Sequence, residues 1–250
     1  MKLEADNLEK AKKTKGSGEK PFSILIPVYN EEDILESSVK SIISKVPKTK
    51  SGFELLICEN GSTDGTVRIA EKLKKEIEIF NYFCLGEPNY GKALQKGIEN
   101  AKYDRIVVFE IDFYSMEFLS ESLNLLDKFD LVIGSKRAPG AIDKRPYLRR
   151  FITWGFNASL KILLGFKGTD THGLKAFKRD KLLPIARSCK VFNNLFSTEF
   201  VIRAQRAGLK IKELPAVIAE LRGTRVGVLH RIPEALVNLA QLFWVIRFKK

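Results

Sequence analysis

Phe22-Ser-Ile-Leu-Ile-Pro-Val-Tyr-Asn-Glu31 is a short apolar run that ends on a polar, acidic step, and Arg105-Ile-Val-Val-Phe-Glu-Ile-Asp112 follows the same plan. Such a run is a candidate β-strand. Working outward from Phe22–Ile26, the stretch Glu31 to Lys45 carries Ile34, Leu35, Val39, Ile42 and Ile43 at helical spacing. Phe53–Cys58 predicts a second strand, closed by the turn dipeptide Asn60-Gly61, and a helix from Asp64 to about Ile77 follows it. Ser62, Thr63 and Asp64 are each able to cap that helix. Asn81–Leu85 predicts a short third strand and Gly91–Ala101 a third helix. Arg105–Phe109 and Phe129–Gly134 predict two more strands, with a helix over Ser120–Lys128 between them. This alternation predicts an α/β fold, a mainly parallel sheet with helices on both faces. Ligands of such sheets gather at the carboxyl ends of the strands. Those ends are Pro27–Glu31, Glu59-Asn60, Glu110–Asp112 and Ser135–Arg137.

After Lys136 the pattern shifts to longer helical stretches, Tyr147–Leu164, Phe196–Ala207 and Pro233–Phe248, with one strand predicted over Lys210–Ala219. No Pro/Gly/Ser-rich linker separates the halves, so the back half reads as a basic helical extension of the same domain. Charge divides with it. Residues 1–135 hold 19 Lys and Arg against 23 Asp and Glu, whereas residues 136–250 hold 24 against 7. The net +17 of the back half points to an anionic partner such as lipid headgroups, phosphorylated small molecules or nucleic acid. Nucleic acid fits poorly, because neither a zinc pattern, a helix-turn-helix nor a basic groove with interleaved aromatics occurs. Three scattered cysteines and two distant histidines lack zinc-ligand spacing and suit a reducing compartment. The polar first 20 residues lack the apolar core of a secretory signal and read as a flexible basic tail. The longest uncharged apolar stretch, Ala235 to Ile246, is 12 residues, short of the roughly 18 needed to cross a bilayer. With Phe243, Trp244 and Phe248 around a polar stripe of Glu234, Asn238 and Gln241, residues 231–250 predict an amphipathic helix that packs on the core, meets a membrane subunit or lies in a lipid interface.

Chemistry concentrates at the strand ends. Glu110 and Asp112, two residues apart, are able to share a hard divalent cation, Mg²⁺ or Mn²⁺, completed by a substrate diphosphate. An ordinary strand terminus with two solvated acids explains the pair equally well. Glu59, the last acid of its strand, is placed to accept from a nucleobase N–H or ribose hydroxyls.

Together, Ile24–Glu31, Glu59–Thr66, Asn89-Tyr-Gly-Lys-Ala93, Val108–Asp112 and Val132–Lys136 resemble, in order, the motifs of family-2 glycosyltransferases with the GT-A fold. Asp170–Arg179, Glu199–Gly208 and Glu213-Leu-Pro215 resemble the dolichol or polyprenyl phosphate mannose (or glucose) synthases within that family. The resemblance implies a Rossmann-like GT-A domain over residues 21–230. Its nucleotide-sugar half would span 21–135 and its acceptor half 136–230. It further implies that Pro27, Tyr29, Glu31, Glu59, Asn60, Lys92 and Ile111 border the nucleotide and that Glu110 and Asp112 hold the metal. Lys136, Arg149, Arg222 and Arg225 would contact donor or acceptor phosphate. Arg150 stands beside them at the acceptor mouth. Two departures stand out: the second strand ends Glu59-Asn60 where the family has Asp-Asp, and Glu110 replaces the first Asp of the metal motif.

The implied reaction is an inverting transfer of a hexose from GDP-mannose or UDP-glucose to polyprenyl phosphate, on the cytoplasmic face of a membrane. Asp112 and Lys136 would act catalytically, and Glu199 would serve as the base if the acceptor were a sugar hydroxyl. A non-catalytic nucleotide-sugar-binding paralogue is the competing expectation. A sugar nucleotidyltransferase would want a Gly-rich basic loop after the first strand, where this chain has the acidic Pro27–Glu32.

Overall fold

The computed structural model describes residues 20–47, 51–143, 146–193, 195–218 and 232–248. The residues expected to form a basic tail, and Arg222 and Arg225, lie outside them.

A seven-stranded sheet forms the centre. In chain order its strands are β1 (Phe22–Val28), β2 (Phe53–Glu59), β3 (Phe80–Cys84), β4 (Arg105–Val108), β5 (Leu131–Ser135), β7 (Lys175–Lys178) and β8 (Ile211–Pro215). In space they run β3-β2-β1-β4-β7-β5-β8. All neighbours pair in parallel except β7, which is antiparallel to both β4 and β5. β6 (Ile142–Asp143) and β9 (Val217–Ile218) pair separately, in parallel. The helices are α1 (Leu35–Lys45), α2 (Thr66–Glu76), α3 (Tyr90–Asn100), α4 (Met116–Leu125), α5 (Tyr147–Leu164), α6 (Arg179–Ser188), α7 (Phe196–Arg206) and α8 (Ile232–Phe248).

Side-chain alternation along buried strands assigns residues to two cores. Ile24, Ile26, Leu55, Ile57 and Val107 face one side, where α1, α2 and α4 contribute Leu35, Leu73 and Leu119. Leu25, Leu56, Val108 and Ile133 face the other, packed on α3, α5, α6, α7 and α8. The sheet is therefore covered on both faces, as the alternation of strands and helices predicts. Pro27 sits inside β1, a central strand, where proline is normally excluded. It is tolerated because β1 pairs with β4 only as far as Leu25–Val108, so the side to which an N–H at position 27 would donate has no strand beside it.

The back half departs from expectation. It supplies two strands of the main sheet besides helices, and β7 and α6 fall where no element is predicted. Lys175-Ala-Phe-Lys178 is short and charged at both ends, and α6 contains Pro184, which removes one rung of the helical ladder. α4 begins at Met116 and not near Ser120, because Ser115 Oγ accepts the Phe118 N–H at 3.1 Å and caps it there. α5 ends where expected, on Gly165 in the left-handed region (φ 69°). α8 packs Leu239, Leu242, Val245 and Ile246 into the core, while Val237, Trp244 and Phe248 are exposed. The C-terminal helix is thus half core and half open surface. Among the described residues no helix is long and apolar enough to cross a membrane.

β7 enters the sheet past a close backbone approach. A Cβ on Gly173 would collide with the carbonyl oxygen and carbon of Gly134 in β5. Gly173→Ala should therefore destabilise the protein by roughly 3 kcal/mol, at the upper end of overpacking costs. A urea unfolding midpoint within error of wild type would contradict this packing.

Candidate active site

β1, β2, β4 and β5 run in one direction, so their carboxyl ends share one rim of the sheet. β7 runs the other way and starts at that rim, which brings Asp170–Lys175 between the ends of β4 and β5. Lys175 pairs with Val108 on one side and Ile133 on the other. Each strand end predicted to carry chemistry is therefore gathered here, together with a segment that was not.

On the β1–β2 side the two loops lace together. Asn30, in the left-handed region (φ 53°), accepts the Thr63 N–H on Oδ1 at 2.8 Å and donates its own N–H to Ser62 Oγ at 3.0 Å. Asn tolerates that conformation better than most residues. The Glu31 N–H donates to Thr66 Oγ1 (2.9 Å), and the Gly65 N–H to Glu32 Oε2 (2.7 Å). Asp64 Oδ1 accepts from the Thr66 N–H at 2.9 Å, so the acid expected to cap α2 does bind its first turn. Tyr29 is exposed and Glu31 half-buried, both at the rim.

Five predicted contacts need correction. Glu59 is 1% exposed, and its carboxylate accepts from the Ser62 N–H and the Cys84 thiol. It props the loop and is not open to a nucleoside. Asn60 likewise uses its Oδ1 on the Asn89 N–H. Ile111 is a core residue, 4% exposed, and Pro27 is buried in β1, so neither side chain borders an open site. Lys92 is exposed on α3 and held by Glu87 at 2.6 Å.

The acidic turn lies at the end of β4, closed by backbone hydrogen bonds between Glu110 and Phe113. Asp112 is exposed and Glu110 half-buried. Tyr90, in the first turn of α3, donates its hydroxyl to Glu110 Oε1 at 3.3 Å. Burial raises the carboxyl pKa of Glu110, and the charge of Asp112 adds to this, against the opposing pull of Lys175 and Tyr90. Burial lowers the ammonium pKa of Lys175 against the attraction of Glu110 and Asp170. Two carboxylates on one turn, with no larger cluster of His, Cys, Asp or Glu near metal-binding distance among the described residues, are a sparse oxygen donor set. That set would fit a hard cation that keeps most of its coordination positions for other oxygen ligands.

Lys136, at the end of β5, is not free. Its ammonium is 2.9 Å from Asp170 Oδ2 and 3.1 Å from Oδ1, with the two side chains 9% and 2% exposed. Asp170 also accepts the N–H groups of Lys136 (3.3 Å) and His172 (3.0 Å). Burial works against ionisation of Asp170, but the adjacent Lys136 and the His172 N–H override it and hold its carboxyl below the usual carboxylate range. Beside this pair opens a cavity of about 370 Å³, lined by Lys136, Arg137, Asp143, Arg150, Thr153 and Trp154. Arg150 is exposed over the Tyr147 ring, and Arg149, next to it on α5, is half-buried. Glu199 is 0% exposed, and both its oxygens are bound to Lys190, Val191 and Arg203. Placed so, it cannot serve as a general base.

Tyr90, Asp170 and Lys175 are the chemistry-bearing groups that sequence reasoning left unassigned. The signal for Lys175 is a lysine opening an apolar pair directly after Gly173-Leu174.

An open α/β sheet with acids, a buried ion pair and a cationic cavity at its carboxyl rim defines a GT-A type domain. Residues 23–183, well over half the chain, match glycosyl transferase family 2, and the chain belongs to that family. It is 31% identical over 238 residues to the dolichyl-phosphate beta-glucosyltransferase ALG5A of Trichomonas vaginalis, covering 88% of this chain and 72% of that protein. To the glycosyltransferase AglD of Haloferax volcanii it is 26% identical over 229 residues, 89% of this chain but only 37% of AglD. The dolichyl-phosphate hexose transferase of the same organism is 29% identical over 208 residues, 81% of this chain and 84% of that protein. Among solved structures, the glucosyl-3-phosphoglycerate synthase of Mycobacterium tuberculosis with Mn²⁺, UDP-glucose and phosphoglyceric acid shares the fold. Its TM-score is 0.65 at 20% identity, covering 95% of this chain and 83% of the other.

The Lys136–Asp170 pair yields a test. Asp170→Asn strands a buried ammonium and should cost roughly 3 kcal/mol at neutral pH. Asp170 has a lowered folded-state pKa, so its contribution is present above its unfolded pKa and lost as pH falls through the folded value. Urea titrations should therefore show the wild-type advantage shrinking below about pH 4. A constant gap down to pH 2 would contradict the pairing.

Proposed function

We propose that this chain transfers a hexose, mannose or glucose, from a nucleotide-diphospho sugar to a polyprenyl phosphate. The observation that carries the reading is the juxtaposition, on one rim, of the Glu110–Asp112 turn with the cationic cavity of Lys136, Arg137 and Arg150. One supplies ligands for a donor diphosphate, and the other suits an acceptor phosphate a short way along the same edge. The names of ALG5A and of the dolichyl-phosphate hexose transferase point the same way.

In this reading Glu110 and Asp112 would hold Mg²⁺ or Mn²⁺, and the cation would supply positive charge to offset that of a departing diphosphate. Tyr29 and Glu31 border the nucleoside. An acceptor phosphate oxygen attacks the anomeric carbon from the face opposite the diphosphate. The new C–O bond forms as the bond to the diphosphate breaks, with inversion. With a second pKa of about 6, a phosphate monoester is largely dianionic at neutral pH and needs no base. That agrees with the enclosure of Glu199 and disfavours a sugar-hydroxyl acceptor. Lys136 and Arg150, with Arg149 beside them and with Arg222 and Arg225, which lie outside the described residues, offset the gathered negative charge. The reading of a non-catalytic nucleotide-sugar-binding paralogue draws on one observation, that Glu59 and Asn60 are spent on internal hydrogen bonds.

The acceptor is lipid-borne, and the protein is peripheral on the cytoplasmic face of a membrane. α5 has no acid, carries Arg149, Arg150 and Lys161, and exposes Tyr147 (86%), Phe151 (68%), Trp154 (54%) and Ile162 (81%). α8 adds Trp244 and Phe248 beside it, where Arg247 donates to the Leu163 carbonyl at 3.3 Å. Aromatics interleaved with cations suit an anionic lipid interface. A membrane subunit is the other partner that this face would accept.

Incubating the protein with GDP-mannose or UDP-glucose, a divalent cation and a polyprenyl phosphate should give a glycosylated lipid by mass spectrometry. Nucleotide-sugar binding without product would favour the paralogue. Asp112→Ala should lower kcat/KM by at least about a hundredfold with the fold intact by circular dichroism. Turnover at the wild-type rate would remove the acidic turn from the site. Each large apolar side chain contributes on the order of 2 kcal/mol when buried. Phe151→Ser with Trp244→Ser should therefore lower co-sedimentation with phosphatidylglycerol vesicles by at least about tenfold. Unchanged sedimentation would leave the α5–α8 face to a protein partner.

A further inference from the structure

A fully buried carboxylate that does no chemistry calls for another explanation, and the contacts of Glu199 supply it. In α7, Glu199 Oε2 accepts from two consecutive backbone amides, Lys190 N–H at 2.9 Å and Val191 N–H at 2.7 Å, while Oε1 accepts from Arg203 Nε at 2.7 Å. One side chain thus pins the segment that links α6 to α7. The next carbonyl along, Phe192 O, accepts the Gly91 N–H at 2.8 Å. There is no slack at that contact: a Cβ on Gly91 would lie 2.6 Å from Phe192 Cα and 2.7 Å from its carbonyl oxygen. A displacement of residues 190–192 must therefore displace the first turn of α3.

That turn is a junction. Asn89 donates its N–H to Asn60 Oδ1, and its own Oδ1 accepts the Lys92 N–H at 3.0 Å. Tyr90 reaches across to Glu110 Oε1 and is also hydrogen-bonded to Ser197 of α7. Glu110 is where this chain carries a glutamate and the family an aspartate. The longer arm has one more rotatable bond, so its carboxylate needs an external partner to hold one orientation. Tyr90 is that partner.

We propose that Glu199 is a positioning residue: by clamping residues 190–192 against Gly91 it fixes Tyr90, and through Tyr90 the carboxylate of Glu110 in the cation–diphosphate site. The inference rests on the assignment of the Glu110–Asp112 turn to that site. It gives the buried acid a role in the transfer reaction without contact to any substrate, as outer-shell partners of metal ligands do.

The test is direct Mn²⁺ binding, followed by the loss of the free-ion electron paramagnetic resonance signal in the presence of UDP, on the full chain. Tyr90→Phe and Glu199→Ala should each weaken Mn²⁺ binding by about tenfold. The double variant should bind no more weakly than the worse single, because both changes break one path. Glu199→Gln keeps an oxygen for the two amides and should recover most of the affinity, a rescue that separates clamping from charge. Wild-type affinity in Tyr90→Phe, fully additive losses in the double variant, or a Glu199→Ala that loses only urea stability would each overturn the proposal. Tyr90→Phe removes a single hydroxyl and tests the last link even if Glu199→Ala fails to fold. A wild-type protein that takes up no Mn²⁺ with UDP would bring down the cation-site assignment itself, and the proposal with it.

Discussion

The antiparallel insertion of β7 between β4 and β5 is the constraint on which the rest depends. Without it, the acidic turn after β4 and Lys136 after β5 would sit at the ends of neighbouring strands with nothing between them. With it, the rim carries Glu110, Lys175, Asp170 and Lys136 in spatial sequence, charges of alternating sign in a patch largely closed to water. Buried charges are costly unless paired and hydrogen-bonded, and here the pairing is close. The Asp170 carboxylate meets Lys136 Nζ and two backbone N–H groups, and Lys175 Nζ donates to the Gly173 carbonyl at 2.8 Å. Gly134 and Gly173 make the insertion sterically possible, since a side chain at position 173 would have no room. The site is a consequence of how one short strand enters the sheet.

Much of this was legible in the amino-acid order, and the part that was not has a common cause. β1, β2, β4 and β5 announce themselves because a strand buried on both faces is an unbroken apolar run, and a parallel sheet places the ends of such runs together. β7 makes no such announcement. It has four residues, two of them lysines, and its pairing is decided by strands some forty and seventy residues earlier. Local pattern carries no information about an antiparallel partner at that distance. Glu59 and Glu199 fail differently. Each is an acid at a promising place, and each turns out to accept backbone N–H groups from an irregular segment, Ser62 in one case and Lys190 with Val191 in the other. Any residue type supplies a backbone amide, so composition cannot show where the amides point. Asp112, exposed on a turn closed through Glu110 and Phe113, is the opposite case: spacing alone suggested an open carboxylate at a strand end, and the geometry provides one.

The strong positive charge of the back half reads differently once its cations are placed. Several are spent inside the protein. Arg179 donates to the carbonyls of Ile98 and Glu99 at 2.8 and 2.7 Å, closing the carboxyl end of α3. Arg206 donates to the Ile246 and Leu164 carbonyls at 2.8 and 3.2 Å, tying α8 and α5 to α7. Arg203 holds Glu199, and Lys136 holds Asp170. Those four groups are already engaged inside the protein, so they add little to the attraction of an anionic surface. What remains on the outer face of α5 is Arg150 and Lys161, together with the large apolar side chains. If the α5–α8 face meets lipid as proposed, electrostatic attraction of about 1 kcal/mol per surface cation would be a smaller contribution than insertion of aromatic rings, each on the order of 2 kcal/mol when buried. A protein held in this way is oriented as well as attracted. The rings of Phe151 and Trp154 project from the helix whose Arg150 and Thr153 line the cationic cavity, so burying them would turn the cavity toward the lipid. A phosphate anchored in that interface would then need to travel only the length of the rim to meet the acidic turn.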